Sequence, residues 1–402
     1  MVTDLRRVLI IQGLRAFLYG FASVLLGVTL AESGLSDLQV GVIFTAILVG
    51  LAGTSVLVGL AAHRVGWRRM YAILLAVMGC AGAVLAITAN PVALVIAALS
   101  GTLSTDPNES GPITSLEQGM IGQAAADERV RIFGRYNALA YIAGGVGALA
   151  AGLPSLLRHA GWAVPGDRWF FLVFPLVAVP CTVLAAGLSE GVEADTGGEG
   201  ARGHTLKTSR KTVAKLAALF SLDSFAGGLV VQAFVVFWFN RRFGASTGLM
   251  ALVFFVSGSL QALSSIVSAR MAQRFGLLNT MVFTHLPSNL LLMLVPFAPT
   301  LPAAIAVWWA RVALSQMDVP ARQAYVVAMV EPGERVAAAA LTNTARYVSR
   351  PVGPALSGAL MQIVGIGSPF FAAGAIKAVY DTVIYLLFRR VPPPEPPASI
   401  PR

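Results

Sequence analysis

Apolar stretches of close to twenty residues recur from one end of this chain to the other, and no other feature limits its fold so sharply. An α-helix rises about 1.5 Å per residue, so about 20 apolar residues in succession match the ~30 Å hydrocarbon core of a bilayer. Such stretches lie at 8–30, 39–61, 70–89, 92–118, 134–156, 169–189, 215–239, 248–269, 278–299, 302–326, 337–364 and 367–388, twelve in all. With 56% hydrophobic and 12% charged residues among 402, and a mean hydropathy of +0.74, the chain has more apolar surface than one water-soluble core can bury. An all-α integral membrane protein with twelve transmembrane helices is expected. The first stretch runs unbroken through Gly20 to Leu30, unlike the short core and small-residue cleavage site of a secretory signal, and is expected to be retained.

The net charge of +10 is placed in a way that orients the chain rather than binding nucleic acid, and no nucleic-acid partner is expected. Arg6 and Arg7 precede the first stretch; Arg64, Arg68 and Arg69 follow the second; Arg129, Arg131 and Arg135 follow the fourth. Lys207, Arg210, Lys211 and Lys215 follow the sixth, Arg270 and Arg274 the eighth, and Arg389 with Arg390 closes the twelfth. All of these lie on one side, while opposite loops such as "AESGLSD" and "FAPTLP" lack Lys and Arg, which puts both termini in the cytoplasm. Arg241 and Arg242 stand outside this pattern. Compact loops and the absence of targeting segments suggest a prokaryotic plasma membrane. Cys80 and Cys181, both within apolar stretches, are expected to be buried and unpaired.

The longest hydrophilic interruption, "SEGVEADTGGEGARGHTLKTSRKTVAK" from Ser189 to Lys215, is glycine-rich, charged and without apolar period, as a flexible linker is. The expected organisation is a six-helix bundle over 1–189, a cytoplasmic linker over 190–214, a second six-helix bundle over 215–390 and a proline-rich cytoplasmic tail over 391–402. The halves repeat each other. "LRAFLYG" from Leu14 matches "LDSFAGG" from Leu222, and "HRVGW" from His63 matches "QRFGL" from Gln273. "ERV" at Glu128 matches "ERV" at Glu334, and the same spacing pairs Asn137 with Asn343, Tyr141 with Tyr347, Gly147 with Gly353 and Gly152 with Gly358. Two parallel, pseudo-symmetric six-helix bundles with a binding site near the midplane between them form one plan of membrane transporter.

Over essentially its whole length the sequence resembles the major facilitator superfamily. The most specific local sign is "GLAAHRVGWRR" after the second stretch, against the family pattern G-x-x-x-D-R-x-G-R-R. Gly59, Arg64, Gly66, Arg68 and Arg69 match, His63 replaces the family's aspartate and Trp67 one arginine. Gly66 suits a tight turn between helices, and the arginines suit lipid headgroups or helix C-termini. The resemblance implies a cytoplasmic gate here, which His63 would make pH-sensitive. The second copy, "ARMAQRFGLLN" from Ala269, keeps only Arg274 and Gly276. Family exporters carry a glycine-rich motif with Gly-Pro in the fifth span. Here "AYIAGGVGALAAGLP" has Gly144, Gly145, Gly147 and Gly152 without that pair, whereas Gly353, Pro354 and Gly358 fall in the eleventh.

Charge inside the apolar stretches marks the candidate site, because an ionised group at bilayer depth is costly unless paired or facing water. "SGTLSTDPNESGPITSLEQ", from Ser100 to Gln118, places Asp106 near the midplane with Glu109 on the same face, and Pro107 and Pro112 interrupt the helix. Gln12, Arg15 and Tyr19 share a face of the first stretch, and Asp223 occupies the position matching Arg15. Arg311, Asp318 and Arg322 align in the tenth, Asn343, Arg346 and Arg350 in the eleventh. Asp106, Glu109, Asp223 and Asp318 are the proton-coupling candidates; Arg15, Tyr19, Arg346 and Arg350 the substrate-binding candidates. Glu117 and Arg322, at matching places near the ends of the fourth and tenth stretches, join Gly59, His63, Arg64, Gly66, Arg68 and Arg69 in the gate. Lys377 and Asp381 are expected to pair at i, i+4, and His285 and Asn289 to hydrogen-bond within the bundle.

No G-x-x-x-x-G-K-[ST] cradles a nucleotide, no H-E-x-x-H or Cys/His cluster holds zinc, and no G-x-S-x-G presents a serine. No enzyme activity, cofactor or metal is expected. The resemblance and the intramembrane charge together imply a secondary transporter working by alternating access, exporting a small polar, zwitterionic or anionic solute in exchange for protons. Proton-coupled uptake and a non-transporting sensor or scaffold of the same fold stay open. The expected partners are a small-molecule substrate, protons and membrane lipids, with the chain a monomer.

Overall fold

The computed structural model describes residues 2–88, 90–104, 111–122, 126–192, 208–330 and 334–391, and within them the regular structure is helical. The helices of the first half are α1 (Val2–Glu32), α2 (Asp37–Val65), α3 (Trp67–Ile87), α4 (Pro91–Leu99), α5 (Pro112–Gly122), α6 (Ala126–Ala150), α7 (Leu153–His159) and α8 (Val173–Ala186). Those of the second are α9 (Arg210–Leu229), α10 (Gln232–Phe243), α11 (Thr247–Phe275), α12 (Leu277–Leu294), α13 (Leu301–Ser315), α14 (Asp318–Ala328), α15 (Arg335–Ser349), α16 (Val352–Ile363) and α17 (Ser368–Phe388). Among the described residues nine segments are long and apolar enough to cross a membrane, α6 with α7 and α9 with α10 each counting as one. The other three apolar stretches are each broken in two, as α4 with α5, α13 with α14, and α15 with α16, which restores the expected twelve.

Local chemistry sets the breaks. Asn90 caps α4, its side chain accepting from Val92 N with Pro91 at the first helical position, and α4 ends before Gly101, whose φ of +70° suits glycine. Pro112 opens α5, so the proline-rich interruption legible in the sequence is a true helix break. Pro351 separates α15 from α16 in the same way. Asp106 and Glu109 lie outside the described residues, as do the linker from 193 to 207 and the tail from 392. Helix α9 begins at Arg210, inside the stretch expected as linker.

By packing, the chain forms two units that do not coincide with the sequence halves. The first comprises Met1–Thr196, Val231–Ser259 and Pro354–Ile366; the second, Gly197–Val230, Leu260–Gly353 and Gly367–Arg402. Helix α10 joins the first unit because it lies along α1: Ala233 O and the Val236 side chain crowd Gly27, and Gln232 Nε2 donates to Ser23 Oγ at 2.7 Å. Helix α16 joins it through Pro354 O and Gly358, which press on Gly41. Arg241 and Arg242, unexplained by the charge pattern, sit in the last turn of α10, where cations complement the helix dipole.

The repeat reappears as packing. In the first unit α1 crosses α6 so closely that a Cβ on Gly20 would lie 1.9 Å from Gly144 O, and one on Gly147 1.9 Å from Phe17 O. In the second unit the matched Gly228 would meet Arg350 O at 2.2 Å, and the matched Gly353 would meet Gly228 C at 2.4 Å. Small residues allow such backbone approach between membrane helices. Both free cysteines are unpaired, but Cys80 is exposed on α3 rather than buried as expected; Cys181 is buried.

The turn expected at Gly66 is present as a one-residue link between α2 and α3 with φ 91°, and its repeat mate Gly276 links α11 to α12 with φ 83°. Arg68 Nη1 donates to Leu188 O at 3.1 Å, capping the end of α8 as a basic residue can, while Arg64 and Arg69 are exposed. Asp4 accepts from Ser189 N and Oγ at 2.9 Å each, and in the second unit Glu334 accepts from Thr208 N and Ser209 N at 2.9 Å each. The side-chain surroundings of Gly59 and His63 lie outside the described set. Gly66→Ala forces a side chain into a conformation reserved for glycine and is expected to destabilise the protein by about 1–3 kcal/mol. A melting curve of the purified variant, unchanged from the wild type, would contradict it.

Candidate functional site

Among the described residues each unit buries a cluster of charge. In the first, Glu117 of α5 is the hub and is 0% exposed. Its Oε2 accepts from Arg15 Nη2 of α1 at 2.6 Å and from the Tyr136 hydroxyl of α6 at 2.5 Å; its Oε1 accepts from the Tyr71 hydroxyl of α3 at 2.7 Å. Arg15 Nη2 also donates to Gln12 Oε1, one turn back on α1, and to Thr114 Oγ1 of α5 at 3.1 Å. The guanidinium lies 5.3 Å from the centre of the Tyr19 ring, and the Tyr19 hydroxyl donates to Thr102 O at 2.7 Å, where α4 has just ended. The shared face of Gln12, Arg15 and Tyr19 read from the sequence is therefore real. Arg15 and Glu117, assigned in the sequence to a substrate cavity and to a gate, meet in one contact.

The second unit is richer. Asp223 of α9 accepts from Lys377 Nζ of α17 at 2.5 Å through Oδ1 and from Arg322 Nη1 of α14 at 3.3 Å through Oδ2. Arg322 Nη1 also holds Asp318 Oδ2, one turn earlier on α14, at 3.0 Å. Asp381 of α17 lies with Oδ1 2.9 Å from His285 Nδ1 of α12 and accepts from Asn289 Nδ2 at 2.8 Å through Oδ2. Asp223, Asp318, Arg322, His285, Asn289, Lys377 and Asp381 are all buried. The pair expected between Lys377 and Asp381 is corrected: i, i+4 spacing gives them one face, but each turns to a carboxylate or imidazole on a neighbouring helix. His285 and Asn289 do hydrogen-bond within the bundle, as expected.

Arg346 of α15 is half-buried, and its Nε is buried with no hydrogen-bond partner among the described residues. Arg350, nominated with it, caps the end of α15. Arg322, assigned to the gate, is drawn into the same cluster as Asp223 and Asp318. Tyr71 and Tyr136 were missed in the sequence; a tyrosine in an apolar stretch carries no mark of the carboxylate it will meet from another helix. Across the repeat the two arrangements mirror each other with sign reversed. Arg15 and Glu117 stand where Asp223 and Arg322 stand in the second half.

Twelve spans in an internal repeat, with an ion pair buried in each half, define a polytopic solute carrier. The comparisons with known proteins agree. The model of the Major Facilitator Superfamily matches residues 8–312 and 216–402, and the chain belongs to that superfamily. It is an integral, multi-pass membrane protein and a secondary transporter, from a family of transporters rather than enzymes. It is 24% identical to the uncharacterized membrane protein YJR124C of Saccharomyces cerevisiae, over 93% of this chain and 92% of that one. Among solved structures it is similar to the nucleoside transporter NupG, with a TM-score of 0.73 at 14% identity over 97% of this chain and all of that one. It is also similar to a bacterial homologue of the human lysosomal transporter Spinster, at 0.71, 15% and 96% of each chain. A D-xylose–proton symporter gives 0.69 and 14%, over 94% of this chain and 97% of that one.

Proposed function

We propose that the protein exports a small polar or charged solute across its membrane by alternating access, in exchange for protons. The observation that carries this reading is the cluster of the second unit. Three carboxylates, Asp223, Asp318 and Asp381, are buried there with a histidine, beside an arginine whose Nε has no partner among the described residues. A membrane protein bears such desolvation where the charges do work, and buried carboxylates can take a proton from one side and release it on the other. Arg346 and Arg350 are the substrate residues of this reading, and the unpartnered Nε favours a solute with a carboxylate or other anionic group. Arg15 and Glu117 neutralise each other and hold the first unit together. The names of the similar structures support a polar solute and proton coupling, and the partial glycine signature supports export. Both termini face the cytoplasm by the distribution of Lys and Arg. The compact loops and the absence of targeting segments favour a prokaryotic plasma membrane.

The test uses everted vesicles with an acid interior and a lumenal pH dye, challenged with carboxylates, amino acids, sugars, nucleosides and lipophilic cations. Alkalinisation by a carboxylate or amino acid, lost in Arg346→Gln, is the expected result. A response to lipophilic cations alone would overturn the solute class, and silence across the panel would overturn proton antiport. Asp106→Asn and Glu109→Gln, run beside it, test the two carboxylates outside the described residues. The uptake reading has one observation in its favour, the likeness to a symporter; solute-driven acidification of right-side-out vesicles would select it. Asp106→Asn and Asp223→Asn that both leave every cellular phenotype intact would select the scaffold.

A further inference from the structure

The geometry points to His285 and Asp381 as the residues that carry the coupled proton. This deepens the proton-coupled reading above and rests on it. Among the described residues Asp223 and Asp318 are strapped by fixed cations, Asp223 by Lys377 and Arg322, and Asp318 by Arg322. Asp381, 0% exposed, has no lysine or arginine partner among them; its partners are the His285 ring and the neutral amide of Asn289. A carboxylate sealed from water needs a compensating charge or a proton of its own. At Asp381 only the imidazole can supply that charge, so the pair holds one exchangeable proton, on Nδ1 or on Oδ1.

Two further features match that proton. The opposite ring nitrogen, Nε2, lies 3.8 Å from Asp223 Oδ1, the same oxygen that Lys377 Nζ binds. A doubly protonated ring therefore faces a carboxylate at each nitrogen and competes with Lys377 for Asp223 with a full charge; a neutral ring competes for that oxygen only as a dipole. The charge state of His285 is thus read by the contact joining α9 to α17. Asn289, fully buried, gives Nδ2 to Asp381, with His285 Nδ1 3.1 Å from the same nitrogen, and its Oδ1 has no partner among the described residues. That amide suits an ionised Asp381 as it stands, and rotated by half a turn it would accept from a protonated one. Among the described residues the charged or titratable groups around the ring are Asp223 on α9, Asp318 and Arg322 on α14, and Lys377, Tyr380 and Asp381 on α17, the Tyr380 ring standing edge-on at 6.1 Å, with the neutral amide of Asn289 beside them. The proton enters from water on one side and leaves to the other, and only N–H and O–H bonds form or break.

The experiment is a pH titration of the purified, full-length protein, labelled with nitrogen-15 in its histidines and free of solute. His285→Gln assigns the signal among the four histidines. The expected result is a changeover of the His285 nitrogens between the neutral and doubly protonated forms within about pH 5 to 9, and its absence in Asp381→Asn, where the ring stays neutral. In the vesicle assay both variants are expected to lose the dye response. Nitrogen signals that do not move with pH in the wild type would overturn the inference without any variant, as would a full changeover in a folded Asp381→Asn. A fixed His285 beside a responding panel counts against this inference alone. A silent panel counts against the functional reading and leaves the titration of His285 as a separate result.

Discussion

Replacing Glu117 with alanine is expected to leave little folded protein. The substitution strips Arg15 of its only ion-pair partner among the described residues while leaving the guanidinium 2% exposed, and it removes the acceptor of the Tyr71 and Tyr136 hydroxyls together. An uncompensated buried charge costs about 3–5 kcal/mol, and each stranded hydroxyl about 1–3 kcal/mol more. Whole domains are stable by only about 5–15 kcal/mol. Size-exclusion profiles of heated, detergent-solubilised protein measure the effect. The double variant Arg15→Leu with Glu117→Leu, which removes both charges, should recover much of the lost melting temperature. A Glu117→Ala protein that melts with the wild type would show that Arg15 finds another partner.

The second large effect is steric. Gly147→Val places a side chain where the carbonyl of Phe17 already stands 1.9 Å from the position of a Cβ, and backbone cannot swing aside as a side chain can. Overpacking a core costs about 1–3 kcal/mol and more when the backbone must part. The crossing of α1 and α6 has to open along its length, because Gly20 meets Gly144 O in the same seam. Gly228→Val in the second unit is expected to behave alike, against Arg350 O. Gly53→Ala is the control: nothing lies within 4 Å of its Cβ, and in the helix α2 alanine should stabilise by about 1 kcal/mol. Equal melting temperatures for Gly147→Val and Gly53→Ala would refute the close crossing.

Much of this was legible because a bilayer imposes a length on apolar stretches, and a duplicated chain shows each feature twice. The span positions, the proline break before α5, the tight turn at Gly66 and the face shared by Gln12, Arg15 and Tyr19 all follow from spacing alone. Pairing did not. Arg15 and Glu117 are separated by 102 residues in the chain, and helical spacing says nothing of contacts between helices so far apart in sequence. Lys377 and Asp381 satisfy the helical rule for a pair, yet Asp223 offers the lysine a better-placed acceptor and His285 offers the aspartate a donor. The importance of His285 was hidden for the same reason: a lone histidine in an apolar stretch does not announce the two carboxylates on either side of it.

The reversal of sign between the two buried ion pairs bears on how a duplicated chain assembles correctly. While its helices enter the membrane, α1 and α9 hold equivalent places in the repeat, and each could be offered the wrong companion from the other half. Arg15 set against Arg322 would put two guanidiniums together in hydrocarbon, and Asp223 set against Glu117 two carboxylates. Like charges at such depth cost several kcal/mol, so each mispairing is disfavoured at the first contact. A chain carrying the same ion pair in the same sense in both halves would have no such protection. An inversion of this kind would let charge reject a wrong helix pairing before either bundle is complete.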